Sequence, residues 1–154
     1  MQVEQLNMPS HGVQLNYVGL KEFHFDSLRL PSTVKPEEMS DVTFSTARSE
    51  YSHELKTITV ITKAETHTKE DDLHLRVELV AEFRVNETLF PVEKIEEWAS
   101  KAAFLVVFPY LREHIYSLSI RAGMPGLLLP LIQIPTYTVS APVTETEEAM
   151  IAGQ

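Results

Sequence analysis

The chain of 154 residues has no cysteine, five glycines and one tryptophan. Without cysteine there is no disulfide framework, no thiolate metal site and no cysteine nucleophile. So few glycines leave no Gly-x-Ser-x-Gly elbow, no Walker loop and no Gly-x-Gly-x-x-Gly turn, which removes the glycine-dependent nucleophile and phosphate motifs. Positive charge is also short: 13 Lys and Arg stand against 22 Asp and Glu, a net charge of −9. A surface this acidic repels phosphate, so nucleic acid is not the expected partner. No run reaches the ~18 uninterrupted apolar residues of a membrane-spanning helix. The opening residues, Met1-Gln2-Val3-Glu4-Gln5, lack the basic-then-apolar order of a secretory signal. The expectation is a cytoplasmic protein with no direct membrane insertion.

What is present is a globular composition, 44% hydrophobic and 23% charged. The length suits one domain, expected over residues 1–139, followed by an acidic mobile tail at 140–154 with Glu145, Glu147 and Glu148. The N-terminal half alternates with the period of strands. Val13, Leu15 and Tyr17 are odd, Val18 and Leu20 even, Phe23 and Phe25 odd again, and each parity switch predicts a bulge. A short second strand is expected around Val42 and Phe44, after a crossover punctuated by Pro31 and Pro36. A third spans 55–62, rich in β-branched residues. The fourth is the clearest: Leu73, Leu75, Val77, Leu79, Ala81, Phe83 and Val85 hold every odd position. One buried and one solvated face imply an antiparallel sheet. The polar stretch 64–72 reads as the loop between the last two strands.

Beyond Pro91 the period becomes helical, with Val92, Ile95 and Ala99 on one face. A longer helix is expected to begin near Phe108-Pro109, where proline suits a first turn, with Leu111, Ile115, Leu118 and Ala122 as its stripe. Tyr110, His114 and Ile120 widen that stripe. Gly123 followed by Pro125 is a stop signal. The segment Leu127-Leu128-Leu129-Pro130-Leu131-Ile132-Gln133-Ile134-Pro135 is intensely apolar, yet its prolines bar a helix interior or a central strand. It is expected to lie extended across the domain or a neighbouring subunit. A four-stranded sheet under one helix does not need this much apolar surface, and the excess marks a binding or assembly face.

Chemistry is hard to find. Of six histidines, none pairs with another at the i, i+4 spacing of a helical zinc site. His67 and His74 near Asp71 and Asp72 form a loose group across a loop, read as solvated and not as a metal site. His114 beside Glu113 reads as an interface or core residue, because neighbours at i, i+1 do not face each other. Asn86-Glu87-Thr88 fits a glycosylation sequon that carries no meaning without a secretory signal. No catalytic residue, metal ligand or cofactor is assigned, and the chain is not expected to be an enzyme.

The helix start Phe108-Pro109-Tyr110-Leu111-Arg112-Glu113 resembles the Phe-Pro-Tyr-Ala-Arg-Glu of SecB-type export chaperones. Ile115, Ser117, Arg121, Pro125, Leu127 and Leu129 stand in step with that family's Ile-x-Ser, Arg and Phe-Pro-x-Leu-x-Leu pattern. Upstream, Lys21-Glu22-Phe23-His24-Phe25-Asp26 is similar to its Lys-Asp-Ile-Ser-Phe-Glu. The resemblance covers about residues 13–134. It implies an α+β fold, a four-stranded antiparallel sheet with a long helix from the C-terminal half packed at an oligomer interface, and a homotetramer built as a dimer of dimers.

The implied function is an ATP-independent holdase that keeps non-native secretory precursors export-competent in an apolar groove and passes them to the SecA motor. On the resemblance and the apolar excess together, Val42, Phe44, Leu127, Leu129, Ile132 and Ile134 are expected to line the groove. Tyr110, Leu111, His114, Ile115 and Leu118 are expected at the oligomer interface. Glu22 and Asp26 match acidic motor-docking positions in charge. Arg76 stands where the family usually has an acid, and Pro135-Thr136-Tyr137-Thr138-Val139 replaces its short C-terminal helix. Both departures keep open a relative dedicated to one client, for example an antitoxin. The alternative from another class is a small-molecule binder or enzyme of hot-dog type, which threads its helix between the first strands.

Overall fold

The computed structural model describes residues 9–131. Ile132, Ile134 and the expected tail at 140–154 lie outside the described residues. Four strands, β1 (Val13–Ser27), β2 (Thr43–Arg48), β3 (Thr57–His67) and β4 (Leu73–Val85), precede two helices, α1 (Ile95–Lys101) and α2 (Ala103–Arg121). They form one antiparallel sheet in the order β1-β4-β3-β2. The fold is α+β, as expected. The helices follow all four strands, unlike the helix threaded among strands in the hot-dog alternative.

β4 sits in the middle of the core because its alternation lets one side go dry. All seven odd residues from Leu73 to Val85 are buried, while the even ones are half-buried or exposed. Burying each large apolar side chain there contributes roughly 1.5–3 kcal/mol. β1 keeps its apolar residues opposite that row by slipping twice. Register shifts fall between Leu15 and Tyr17 and between Leu20 and Glu22, so Leu15, Val18, Leu20, Phe23 and Phe25 oppose Phe83, Ala81, Leu79, Val77 and Leu75. The first shift comes before Tyr17 and not after it. The tyrosine therefore joins the solvent face, 56% exposed.

β3 runs five residues further than the periodicity suggested, ending at His67. Its buried row is Ile58, Val60, Thr62, Ala64 and Thr66, where small and polar residues mask the period. The loop expected at 64–72 thus shrinks to the turn after His67, in which Thr68 Oγ1 donates to Asp72 Oδ1 at 2.5 Å and accepts from the Asp72 and Leu73 amides.

α2 begins at Ala103, five residues before the expected start, and carries Pro109 inside it. An interior proline removes one helical hydrogen bond and costs ~3 kcal/mol or more. The offset is tertiary: Ala103, Val107, Phe108, Leu111 and Ile115 are all buried along one face. The C-terminus closes as expected. Gly123 takes φ +89°, its amide bonds Ile120 C=O, and Met124 N–H reaches Ser119 C=O at 3.0 Å, a Schellman motif.

β1 and β2 lie on opposite edges, so residues 28–42 cross the sheet. The crossover is tied to the β3–β4 turn. Arg29 pairs with Glu38 at 2.9 Å and Asp72 at 3.2 Å, and the Ser40 and Lys69 amides bond His67 C=O and Glu38 C=O, both at 2.8 Å. This fastening sets where Val42 and Phe44 stand.

Candidate functional site

Residues from three distant parts of the chain meet beside β2. Val42 and Phe44 come from the end of the crossover and the edge strand, and Leu127 and Leu129 from the segment after α2. With Pro36, Met39, Ser40, Asp41, Leu128 and Pro130 they line a groove of about 370 Å³. Phe44 anchors one wall by packing edge-on against Phe104 (ring centroids 5.6 Å) and Phe108 (5.9 Å), which are 5.7 Å from each other. Each such pair is worth ~0.5–1.5 kcal/mol beyond burial.

The opposite wall is held by polar bonds, because its prolines leave it no ladder to join. Buried Ser119 Oγ accepts the Leu127 amide at 2.9 Å and donates to Tyr116 C=O. Arg112 Nε donates to Leu129 C=O at 2.7 Å. Its guanidinium clamps the segment, and the Tyr116 ring lies across Gly126, leaving no room there for a Cβ.

Four of the six expected groove residues are therefore brought together. Ile132 and Ile134 lie outside the described residues. The four are not equivalent: Leu129 is 2% exposed and packs in the core, whereas Val42, Phe44 and Leu127 are half-buried and reachable. Leu128, which the sequence reading passed over, faces outward at 59% exposure. It borders a second trough of about 320 Å³ with Leu131, Phe108, Pro109, Arg112, Glu113 and Tyr116. Phe104 was also missed; its i, i+4 spacing to Phe108 is the signal, hidden by placing the helix start too late.

The expected interface residues divide likewise. Leu111 and Ile115 are buried at 0% and 1% beneath α2 in the protein's own core, so they support that helix from below. Tyr110 is exposed and His114 and Leu118 are half-buried. Tyr110 also borders a hollow of about 630 Å³ with His11, Leu15, Trp98, Leu105 and Val106.

On the far face of the sheet, Glu22 forms an ion pair with Arg76 from β4. The Arg76 hydrogen bond, then its charge, holds the Glu22 carboxyl below the usual carboxylate range. Asp26 is exposed opposite His74. His74 Nε2 and His67 Nδ1 lie 3.1 and 3.7 Å from the same Asp71 oxygen. Among the described residues no group of three such side chains is arranged to hold a metal ion, and no helix is long and apolar enough to cross a membrane.

No family model matches the chain, and no curated protein matches it. Among solved structures, it is similar to the Mycobacterium tuberculosis SecB-like chaperone Rv1957 in complex with a ChAD peptide from the Rv1956 HigA1 antitoxin. The identity is 20%, the TM-score 0.63, and the match covers 78% of this chain and 90% of that one. A protein of unknown function from Streptococcus agalactiae matches at 11% identity and TM-score 0.43, over 80% of this chain and all of the other. The first likeness establishes the SecB-like fold.

Proposed function

We propose that this protein is a holdase chaperone that binds non-native polypeptide in the apolar groove beside β2, without ATP. The observation that carries the reading is the convergence of Val42, Phe44 and Leu127 on one open trough. Support comes from the fold shared with a chaperone that was solved with a peptide bound. Four or five client side chains buried there contribute roughly 8–12 kcal/mol gross. Association and ordering of a flexible chain remove on the order of 4–15 kcal/mol, so one groove binds weakly. Several grooves on one oligomer raise avidity with no new type of contact. The proposal therefore includes a homotetramer, assembled through the face of α2 that carries Tyr110, His114 and Leu118, acting in the cytoplasm.

Two client ranges follow. As a general export factor the protein would hold secretory precursors and dock SecA through Glu22 and Asp26. As a dedicated chaperone it would serve one client, such as an antitoxin. The second is favoured by the Arg76–Glu22 pair, which neutralises an acid at the docking position.

The test is light scattering during refolding of an aggregation-prone polypeptide, with the protein's own mass measured in parallel and ATP omitted. Suppressed aggregation by a tetramer is expected. A monomer that leaves aggregation unchanged removes the proposal.

A further inference from the structure

The two outer edges of the sheet are built differently. β1 has 15 residues, two register shifts and the charged residues Lys21, Glu22 and Asp26. Bulges and charges of this kind blunt an edge against pairing with another chain. β2 has six residues, Thr-Phe-Ser-Thr-Ala-Arg, with no proline, no lysine and no register shift against β3. Its one charged side chain, Arg48, is turned away to Glu96 (3.1 Å) and Ser100 (3.0 Å) on α1.

The direction of its free backbone groups follows from the ladder. Thr43 pairs with Glu65, and the pairing continues in step to Arg48 with Val60. One residue on, the Ser49 amide donates to Thr59 C=O at 2.9 Å. In an antiparallel pair the bonded positions alternate, so Thr43, Ser45 and Ala47 bond β3, and Phe44, Thr46 and Arg48 turn N–H and C=O outward. Among the described residues no hydrogen bond reaches that edge. Phe44 and Thr46 stand opposite buried Ala64 and Thr62, so their side chains lie on the groove face of the sheet.

We propose that the outer edge of β2 receives an extended, proline-free segment of the bound polypeptide, which adds to the sheet as a fifth strand. The inference deepens the proposed function and rests on it. An added strand places alternate side chains over the Phe44 and Leu127 groove and the intervening ones in solvent. The partner is therefore a segment of alternating apolar and polar residues, about six long, matching the ~20 Å reach of β2. Main-chain bonds supply affinity without demanding a sequence, and the groove supplies the preference for apolar side chains.

The experiment is fluorescence anisotropy of the full chain with a labelled nine-residue peptide alternating leucine with threonine and lysine, and with its single N-methyl derivatives. Derivatives at every second central position should bind about fivefold or more weakly, and those between within about twofold. On the protein side, Thr46→Pro removes only an outward amide and should weaken the parent peptide similarly, while Thr46→Val should not. If Thr46→Pro does not fold, the N-methyl series decides alone. A parent peptide that binds with no alternation overturns the added strand and leaves groove capture standing. Failure of the parent to bind at all, with aggregation still suppressed, also rejects the edge. An oligomer mass that halves in Thr46→Pro identifies a second copy as the occupant, against the proposal.

Discussion

β4 and β2 both pair with β3, yet β4 buries every odd residue from Leu73 to Val85 while Phe44 alone among β2's six residues is even half-buried. The difference lies in what each strand meets beyond β3. β4 has β1 on its other edge and helices over one face. β2 borders a groove, and among the described residues nothing bonds its outer edge. A strand closed on both edges can only support the sheet, whereas a strand open on one side has backbone and side chain left for a partner. Stability and capture should therefore separate between the two strands.

The largest expected effect is on β4. Leu79 is 0% exposed, and Leu79→Ala should cost about 2–5 kcal/mol in denaturant unfolding. Capture per folded molecule should stay unchanged; a parallel loss of capture would break the contrast. At Phe44 the order reverses. Phe44→Asp should reduce client affinity about tenfold or more with oligomer mass preserved, and unaltered affinity would remove the groove assignment. Leu129→Asp is a poor companion because that side chain is in the core; Leu127→Asp is the better one.

Thr62 lies under the β2–β3 pairing, 0% exposed, its hydroxyl without a partner among the described residues. Thr62→Val keeps the shape and removes the desolvated hydroxyl, so it should stabilise by about 1 kcal/mol. Destabilisation in the same unfolding assay would show that the hydroxyl is paired.

A pH-dependent effect confined to alkaline pH, and absent at neutral pH, is expected at Tyr51, just past β2. Burial, then a 2.9 Å hydrogen bond to Glu87, pushes its phenol up to about 12. A raised value means that its stabilisation is fully present below the unfolded value of about 10 and is lost as pH rises through about 12. Tyr51→Phe should flatten the stability profile over that interval. An ultraviolet titration with every tyrosine ionising near pH 10 would contradict the assignment.

Much of the sheet was legible because alternation is local: the odd row of β4 names its own buried face. Ala64 and Thr66 were not, since a small residue and a threonine become core only once β4 lies beside them. Pro109 misled for a related reason. Its penalty is local, but the burial of Ala103, Val107 and Phe108 that outweighs it depends on the sheet beneath. For the groove, the apolar excess pointed to a segment of which Leu127, Leu128 and Leu129 line the trough. It did not distinguish Leu129, turned into the core, from Leu128, turned out.

From residue order alone came the strand and helix periods, the Gly123 stop and a surplus of apolar surface, all of which depend on spacing of a few residues. Tertiary structure alone decided that Val42, Phe44 and Leu127 share one trough, that Arg76 neutralises Glu22, and that no other described residue bonds the outer edge of β2. Those are relations between residues tens of positions apart, and the register of one strand on another, which no local pattern encodes, brings them together.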